Sequence, residues 1–332
     1  MGFDPSESPP RGGGIDPDTT RCLESGSLTP EPGTLSQHCT AFRHSGWQAD
    51  RDRVYDAMVA VGTGASRLLR FAMCGAFAWV MRSADDPAVL RIAGNYCHDR
   101  HCIPCARAKA ATVAGNLRAQ VGDRPHRFIT LTLRSTTDTL TEQVSRLYKC
   151  FAKLRRRSCW SDRIKGGAAF LELTYNHERG CWHPHLHVVA DGAYLPQQEL
   201  SSEWLQVTGD SYIVDVRLIR GKDQCLDYVT KYASKGFGHD VIAHRDALEA
   251  AIVALRGRRL CLTFGTWRGV CLTAQPPDGD WLPLAPLGEI IVRAHDGDQW
   301  AQAVLANLTG DTACRPHSVH DPPQPATVNH GT

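Results

Sequence analysis

Apolar and polar residues alternate strictly through residues 126–134, with Ile129, Leu131 and Leu133 on one side and Thr130 and Thr132 on the other. A period of two predicts a strand. The period then changes, because Leu140, Val144, Leu147, Tyr148, Phe151 and Leu154 recur at helical spacing and predict an amphipathic helix running into Arg155, Arg156 and Arg157. Residues 168–175 and 182–190 read as two further strands joined by the turn His177-Glu178-Arg179-Gly180. A helix near 197–206, a strand over 212–219, helices over 224–235 and 243–256 and a last strand around 260–263 complete the run. Upstream, the mostly apolar residues 66–82 predict a helix. Residues 89–93 predict a short strand, and a polar-basic helix over 106–120 follows a cysteine cluster. The order β-α-β-β-α-β-α describes a mostly antiparallel sheet with flanking helices, which places the chain in the α+β class.

Composition changes that picture at the ends. The 332 residues carry 37 Lys+Arg against 35 Asp+Glu, a net charge of only +2. The charge is unevenly distributed. Residues 1–50 have a net charge of −4 and residues 276–332 of −5, and these two stretches hold fourteen of the nineteen prolines. Few periodic apolar positions and many prolines cannot offset chain entropy, so 1–50 is expected to be a disordered tail and 276–332 largely irregular. Within 281–303, Leu284, Leu287, Ile290, Ile291 and Val292 offer a strand or helix to the core. The centre is correspondingly basic, and residues 91–165 alone carry +11. Such a stretch suits a phosphate-backbone partner or, equally, a solvated and salt-bridged surface. No apolar run is long enough to span a membrane and the N-terminus has no signal architecture, so a cytoplasmic location is expected. The expected divisions are the tail (1–50), a helix with a cysteine-rich module (66–120), a central domain (126–270) and the C-terminal segment (276–332).

Two clusters carry candidate metal chemistry. His183, His185 and His187 stand at period two and project from one face of a strand. If the preceding turn is centred between Glu178 and Arg179, Glu172 lies directly across from His185 on that face. His185, His187 and Glu172 then form a ligand set with open positions, suited to Mg²⁺ or Mn²⁺ holding a phosphate oxygen. His183 is the outer histidine, closer in character to a supporting or DNA-contacting residue. In the second cluster, Cys97, Cys102 and Cys105 lie within nine residues, and Cys74 offers a fourth thiolate for a structural Zn²⁺. His98 and His101 are the competing fourth ligands. Arg100, Arg107 and Lys109 in and after this cluster are candidate DNA-phosphate contacts, as are Arg155, Arg156 and Arg157.

A pair of tyrosines supplies a candidate nucleophile. Tyr228 and Tyr232 are four apart and share a helix face, with Lys231 and Lys235 beside them. A phenol with a pKa of about 10 needs nearby ammonium groups and a metal-polarised phosphate to attack. Either tyrosine attacking phosphorus and expelling a 3′-hydroxyl would make the whole a phosphoryl-transfer site.

Taken in order, FITLTL (128–133), HPHLHVV (183–189) and YVTKYASK (228–235) resemble the three motifs of the HUH endonucleases, and within them the replication initiator (Rep) proteins of rolling-circle plasmids. The stretches ELTYN (172–176) and NYCHDRHCIPC (95–105) extend the likeness over residues 74–269. The resemblance implies an HUH-type sheet, metal binding by His185 and His187, and attack by Tyr232 to give a 5′-phosphotyrosine and a priming 3′-hydroxyl. It also implies a comparable zinc cluster and, with no P-loop in the chain, reliance on a host helicase and polymerase. Many such initiators have glutamate four residues before the tyrosine; here Tyr228 stands there, as in two-tyrosine transposases and phage replication proteins. A zinc-dependent, non-catalytic DNA-binding regulator is the alternative from another class.

Overall fold

The two periodicities become two kinds of element. A computed structural model describes residues 32–118, 120–121, 126–234, 238–272 and 279–310. Three helices come first, α1 (Pro32–Arg43), α2 (Gln48–Ala60) and α3 (Ala65–Ala72). Strands β1 (Ala78–Ser83) and β2 (Leu90–Gly94) follow, and the cysteine-rich loop leads into α4 (Ile103–Arg118). The central run is β3 (His126–Thr132), α5 (Leu140–Leu154), the single turn α6 (Ser158–Ser161), β4 (Ile164–Asn176) and β5 (Cys181–Gly192). It continues through α7 (Gln197–Thr208), β6 (Val214–Ile219), α8 (Lys222–Ser234), α9 (His239–Ile242), α10 (Arg245–Ala254) and β7 (Cys261–Gly265). Last come β8 (Trp281–Pro286), α11 (Leu287–His295) and α12 (Gln299–Gly310). The α+β expectation holds, with every strand pair antiparallel.

Five strands form the main sheet in the order β6-β3-β5-β4-β7. Its register is fixed by the hairpin turn. The 177–180 connection ends on Gly180 at φ +60°, a left-handed conformation that glycine adopts without steric cost, and the strands pair Asn176 with Cys181 and Glu172 with His185. A one-residue slip would turn every histidine to the opposite side. One face of the sheet carries Ile129, Leu131, Ala169, Leu171, Leu186 and Val188 into the largest core. Against them pack α5, α7 and α10, through residues such as Leu147, Trp204 and Leu248. Helix α5 begins at a capping box in which Thr139 Oγ1 accepts from the Glu142 amide (3.3 Å) and Glu142 Oε2 accepts from the Thr139 amide (2.9 Å). The other face is covered only in part. Phe128, Ala168, Phe170 and Val189 meet Val113 and Leu117 of α4 and Cys225 and Val229 of α8, whereas the rows nearer the hairpin tip lie beyond that cluster.

Three expectations are corrected. The helix expected over 66–82 stops at Ala72: Gly75 turns the chain at φ +82°, and Val80 enters a strand because it can pair with Ile92 and bury completely. The expected tail over 1–50 contains α1 and the start of α2; residues 1–31 lie outside the described residues. The C-terminal segment, expected to be largely irregular, carries β8, α11 and α12 between Trp281 and Gly310; within it 281–303 supplies the strand it offered, and β8 completes a small sheet of order β2-β1-β8. Cys39 of α1, Val80, Leu287, Ile290, Ala301 and Val304 form its own core. Both ends of the described chain therefore build one unit, a partnership between distant segments that local periodicity does not encode. Residues 311–332 lie outside the described residues.

Candidate functional site

The histidines and Glu172 meet where the sheet face emerges from under α4 and α8. Strand pairing sets Thr130 beside His187 and Thr132 beside His185. Each threonine hydroxyl contacts the adjacent imidazole Nδ1, at 3.2 Å for Thr130–His187 and 3.1 Å for Thr132–His185. Fixing Nδ1 in this way orients the ring and leaves Nε2 as the donor for a ligand. Glu172 pairs in register with His185, but its Oε2 reaches diagonally to contact His187 Nε2. His185 stands further off: its ring centroid is 6.1 Å from that of His187, and its Nε2 is 3.5 Å from Thr174 Oγ1. Two imidazole nitrogens and a carboxylate thus share one face and suit a divalent ion by donor type, although their ligand atoms do not all lie within 4.8 Å of one another. His183 is held away from them, with Nδ1 2.8 Å from Ser135 Oγ.

Helix α8 lies over the covered part of the same face. Tyr228 stacks on Phe128 (centroids 4.2 Å, planes 20° apart), and Phe128 stacks in turn beside His187 (5.5 Å, 10°). Across the sheet from Phe128 stands Arg217 of β6. Its guanidinium is raised above the ordinary value, first by Asp215, whose carboxylate it meets at 2.6 Å, and further by the Tyr228 phenol beside it. The order across the face is therefore His187, Phe128, Tyr228, Arg217, with Phe128 between the Tyr228 ring and the metal-type donors. Tyr232 follows one turn later in α8, Lys231 is exposed on the same helix, and Lys235 lies outside the described residues. Phe128 and Arg217 were not singled out in the sequence. Their signal was parity within strands whose pairing partner is distant, so only the register reveals them.

The basic residues named from sequence have intramolecular partners in most cases. Arg100 donates to the carbonyls of Leu255 (3.1 Å) and Arg258 (2.6 Å), Arg107 lies 4.6 Å over the Trp47 ring, and Lys109 donates to the Leu272 carbonyl. Arg155 packs on Phe151 and Phe264, and Arg157 pairs with Glu203 at 2.6 Å. Arg156 is exposed. This triple-arginine segment follows α5 and sits on the sheet face opposite the histidines. Among the described residues, Arg217 is an exposed cation on the histidine face, where it pairs with Phe128, and Arg134, just past β3, is exposed as well.

The four cysteines converge. Sγ separations of 3.8 Å (Cys74–Cys102), 3.6 Å (Cys74–Cys105) and 3.6 Å (Cys97–Cys105) compare with the roughly 3.8 Å edge of a tetrahedron with Zn–S bonds of about 2.3 Å. Among the described residues these thiols are the one set of three or more metal-type donors with ligand atoms all within 4.8 Å of one another. Backbone amides point at the sulfurs, Cys97 N–H at Cys74 (3.5 Å) and Asp99 N–H at Cys97 (3.4 Å), across a turn that puts His98 at φ +51°. The four thiols are close enough to hydrogen-bond one another, Cys74 with both Cys102 and Cys105 and Cys97 with Cys105. Cys74 therefore completes the set. His101 is buried instead beside Asp99, neutral because burial pushes its pKa down to about 3.

A family model described as a replication protein matches residues 89–270, which include the main sheet, α8 and three of the four cysteines. A Staphylococcus aureus protein named Protein rep is 31% identical over 160 residues, covering 42% of this chain and 70% of that protein. A Bacillus sp protein of the same name is 27% identical over 165 residues (45% of this chain, 54% of that protein). One from Bacillus amyloliquefaciens is 29% identical over 144 residues (39% and 42%). The last two matches thus span only about half of the relatives' own length. No solved structure matches. No described helix is long and apolar enough to cross a membrane.

Proposed function

Since the chain belongs to the replication protein (Rep) family, we propose that it initiates rolling-circle replication of a plasmid by nicking one strand at the origin and later rejoining it. The observation that carries this reading is the row of threonine-oriented imidazoles and a carboxylate on a sheet face roofed by a tyrosine-bearing helix. His185, His187 and Glu172 would hold Mg²⁺ or Mn²⁺, which when bound supplies Lewis-acid polarisation of the scissile phosphate. The Tyr232 oxygen forms a bond to phosphorus, the P–O3′ bond breaks, and the phenolic proton leaves as the 3′ oxygen gains one. The products are a 5′-phosphotyrosine and a 3′-hydroxyl from which a host polymerase extends, with a host helicase unwinding ahead. Rejoining takes a second transfer, in which the Tyr228 oxygen bonds phosphorus at the regenerated origin and the 3′-hydroxyl so released displaces the Tyr232 phenol from the first phosphate. Lys231 and Lys235 would offset the phenolate and phosphate charge.

Supercoiled parent plasmid incubated with the protein and Mn²⁺ is expected to give nicked circles with protein on the 5′ end. Intact supercoils with tight binding would instead identify a non-catalytic regulator. Within the site, the threonines offer a graded test. Thr130→Val removes the hydroxyl that orients His187 and keeps the shape of the side chain. Loss of such supporting contacts costs about 10–100-fold in metal affinity, so the Mn²⁺ concentration for half-maximal nicking should rise by about tenfold or more. An unchanged Mn²⁺ titration would remove His187 from the ligand set.

A further inference from the structure

Beyond the metal-type donors the sheet face runs on to the tip of the β4–β5 hairpin and opens into a cavity of about 410 Å³ lined by Thr174, Tyr175, Asn176, His177, Glu178 and His183. Thr174 and His183 pair in register one row past Glu172 and His185, a step of about 6.8 Å along the strands. The cavity borders the donors directly, since Thr174 Oγ1 is 3.5 Å from His185 Nε2. At the opposite end the face is sealed by Val113, Leu117, Cys225 and Val229. A DNA strand with its phosphate at His185, His187 and Glu172 is thereby directed over the hairpin tip.

The lining chemistry says which part of a nucleotide belongs there. Among the described residues no Lys or Arg lines the cavity and Glu178 does, so there a phosphate would meet an anion. Hydrogen-bonding and stacking groups are present instead. Asn176 Oδ1 accepts from the Arg179 amide at 3.0 Å, which fixes the side chain and leaves its Nδ2 hydrogens to donate. Glu178 is an acceptor. His177 stacks on His244 (centroids 4.9 Å, planes 15° apart), an aromatic step that a base can extend.

We infer that this cavity receives a nucleobase next to the scissile phosphate, and that Asn176 and the His177–His244 stack set the base preference there. The inference rests on the sheet face being the DNA site. It is tested with single-stranded oligonucleotides carrying a randomised window, bound to the full chain in Mg²⁺- and Mn²⁺-free buffer, the bound fraction being sequenced. The parent is expected to enrich a motif. Asn176→Ala and His177→Ala are each expected to lower the preference at one shared position by about tenfold, leaving the others in place, since a single wrong base weakens binding by roughly that factor. A motif unchanged in both variants overturns the inference. Uniform loss across the motif overturns it too, because a distorted hairpin would weaken every position alike. Cleavage assays on the same pool separate the two readings. Selection without cleavage by the parent removes the nicking and keeps the base site, whereas cleavage without any preference removes the base site and keeps the nicking.

Discussion

Tyr232→Phe is expected to lower both nicking and the yield of 5′-linked protein by on the order of 10⁴-fold or more, because loss of a nucleophile leaves only binding and electrostatic catalysis. Denaturing gels of end-labelled oligonucleotide read both quantities. The geometry argues that Tyr228 will not substitute. Its ring is on the β6 side of Phe128, separated by that ring from His187, with Arg217 beside the phenol. For Tyr228 to reach a phosphate at the metal-type donors, α8 must shift or Phe128 must turn aside. That arrangement suits a reserve role, with the first attack made one turn further along the helix and Tyr228 released only for the second transfer. The effect of Tyr228→Phe should accordingly fall on joining, by about 10²-fold, more than on the first nick. Adduct formed by the Tyr232→Phe variant, mapped to Tyr228, would reverse the order of the two tyrosines.

How far the sequence anticipated this site depends on how local each signal was. The hairpin was legible because four residues, ending in Gly180, fix a register that carries through eleven pairs of positions before it shifts near Ile164, and Glu172 opposite His185 followed from arithmetic alone. The diagonal contact of Glu172 with His187 was not legible, since strand spacing sets which residues are neighbours but not which rotamer wins. Charge was the weakest guide. The basic excess of residues 91–165 pointed to DNA contacts, yet Arg100, Arg155 and Arg157 bind carbonyls, aromatic rings and a glutamate within the fold. A guanidinium serves as readily to fasten two segments as to meet a phosphate, and sequence does not distinguish the uses. The small sheet was legible only in part for a related reason. Residues 281–303 offered a strand or helix, but the partner strands lie almost two hundred residues away, and the two prolines of Trp281–Pro286 are tolerated only at the edge position it takes.

The cysteine cluster connects these two parts of the molecule, and its loss should be the most damaging change to the fold. Arg43, at the end of α1, donates to Cys105 Sγ (3.7 Å), and the next residue, the buried His44, places Nε2 3.5 Å from Cys102 Sγ. The same helix turns Cys39 into the core of the small sheet. Cys74, Cys102 and Cys105 are themselves buried in the main core, so the thiols act as a joint between the two units. A structural Zn²⁺ contributes about 10–16 kcal/mol of apparent binding energy in small domains, comparable with the whole stability of about 5–15 kcal/mol of an ordinary one. Cys102→Ser is therefore expected to lower bound zinc from one per chain to well under a tenth and to unfold the segment from α3 to α4, read by metal analysis and hydrogen exchange. His44→Ala is the milder companion: it should keep the zinc and speed exchange in α1 by about tenfold, since one buried contact worth about 1.4 kcal/mol is lost. Unchanged exchange in α1 in both variants would mean that α1 is held by the Cys39 core alone and that the cluster serves only the loop that contains it.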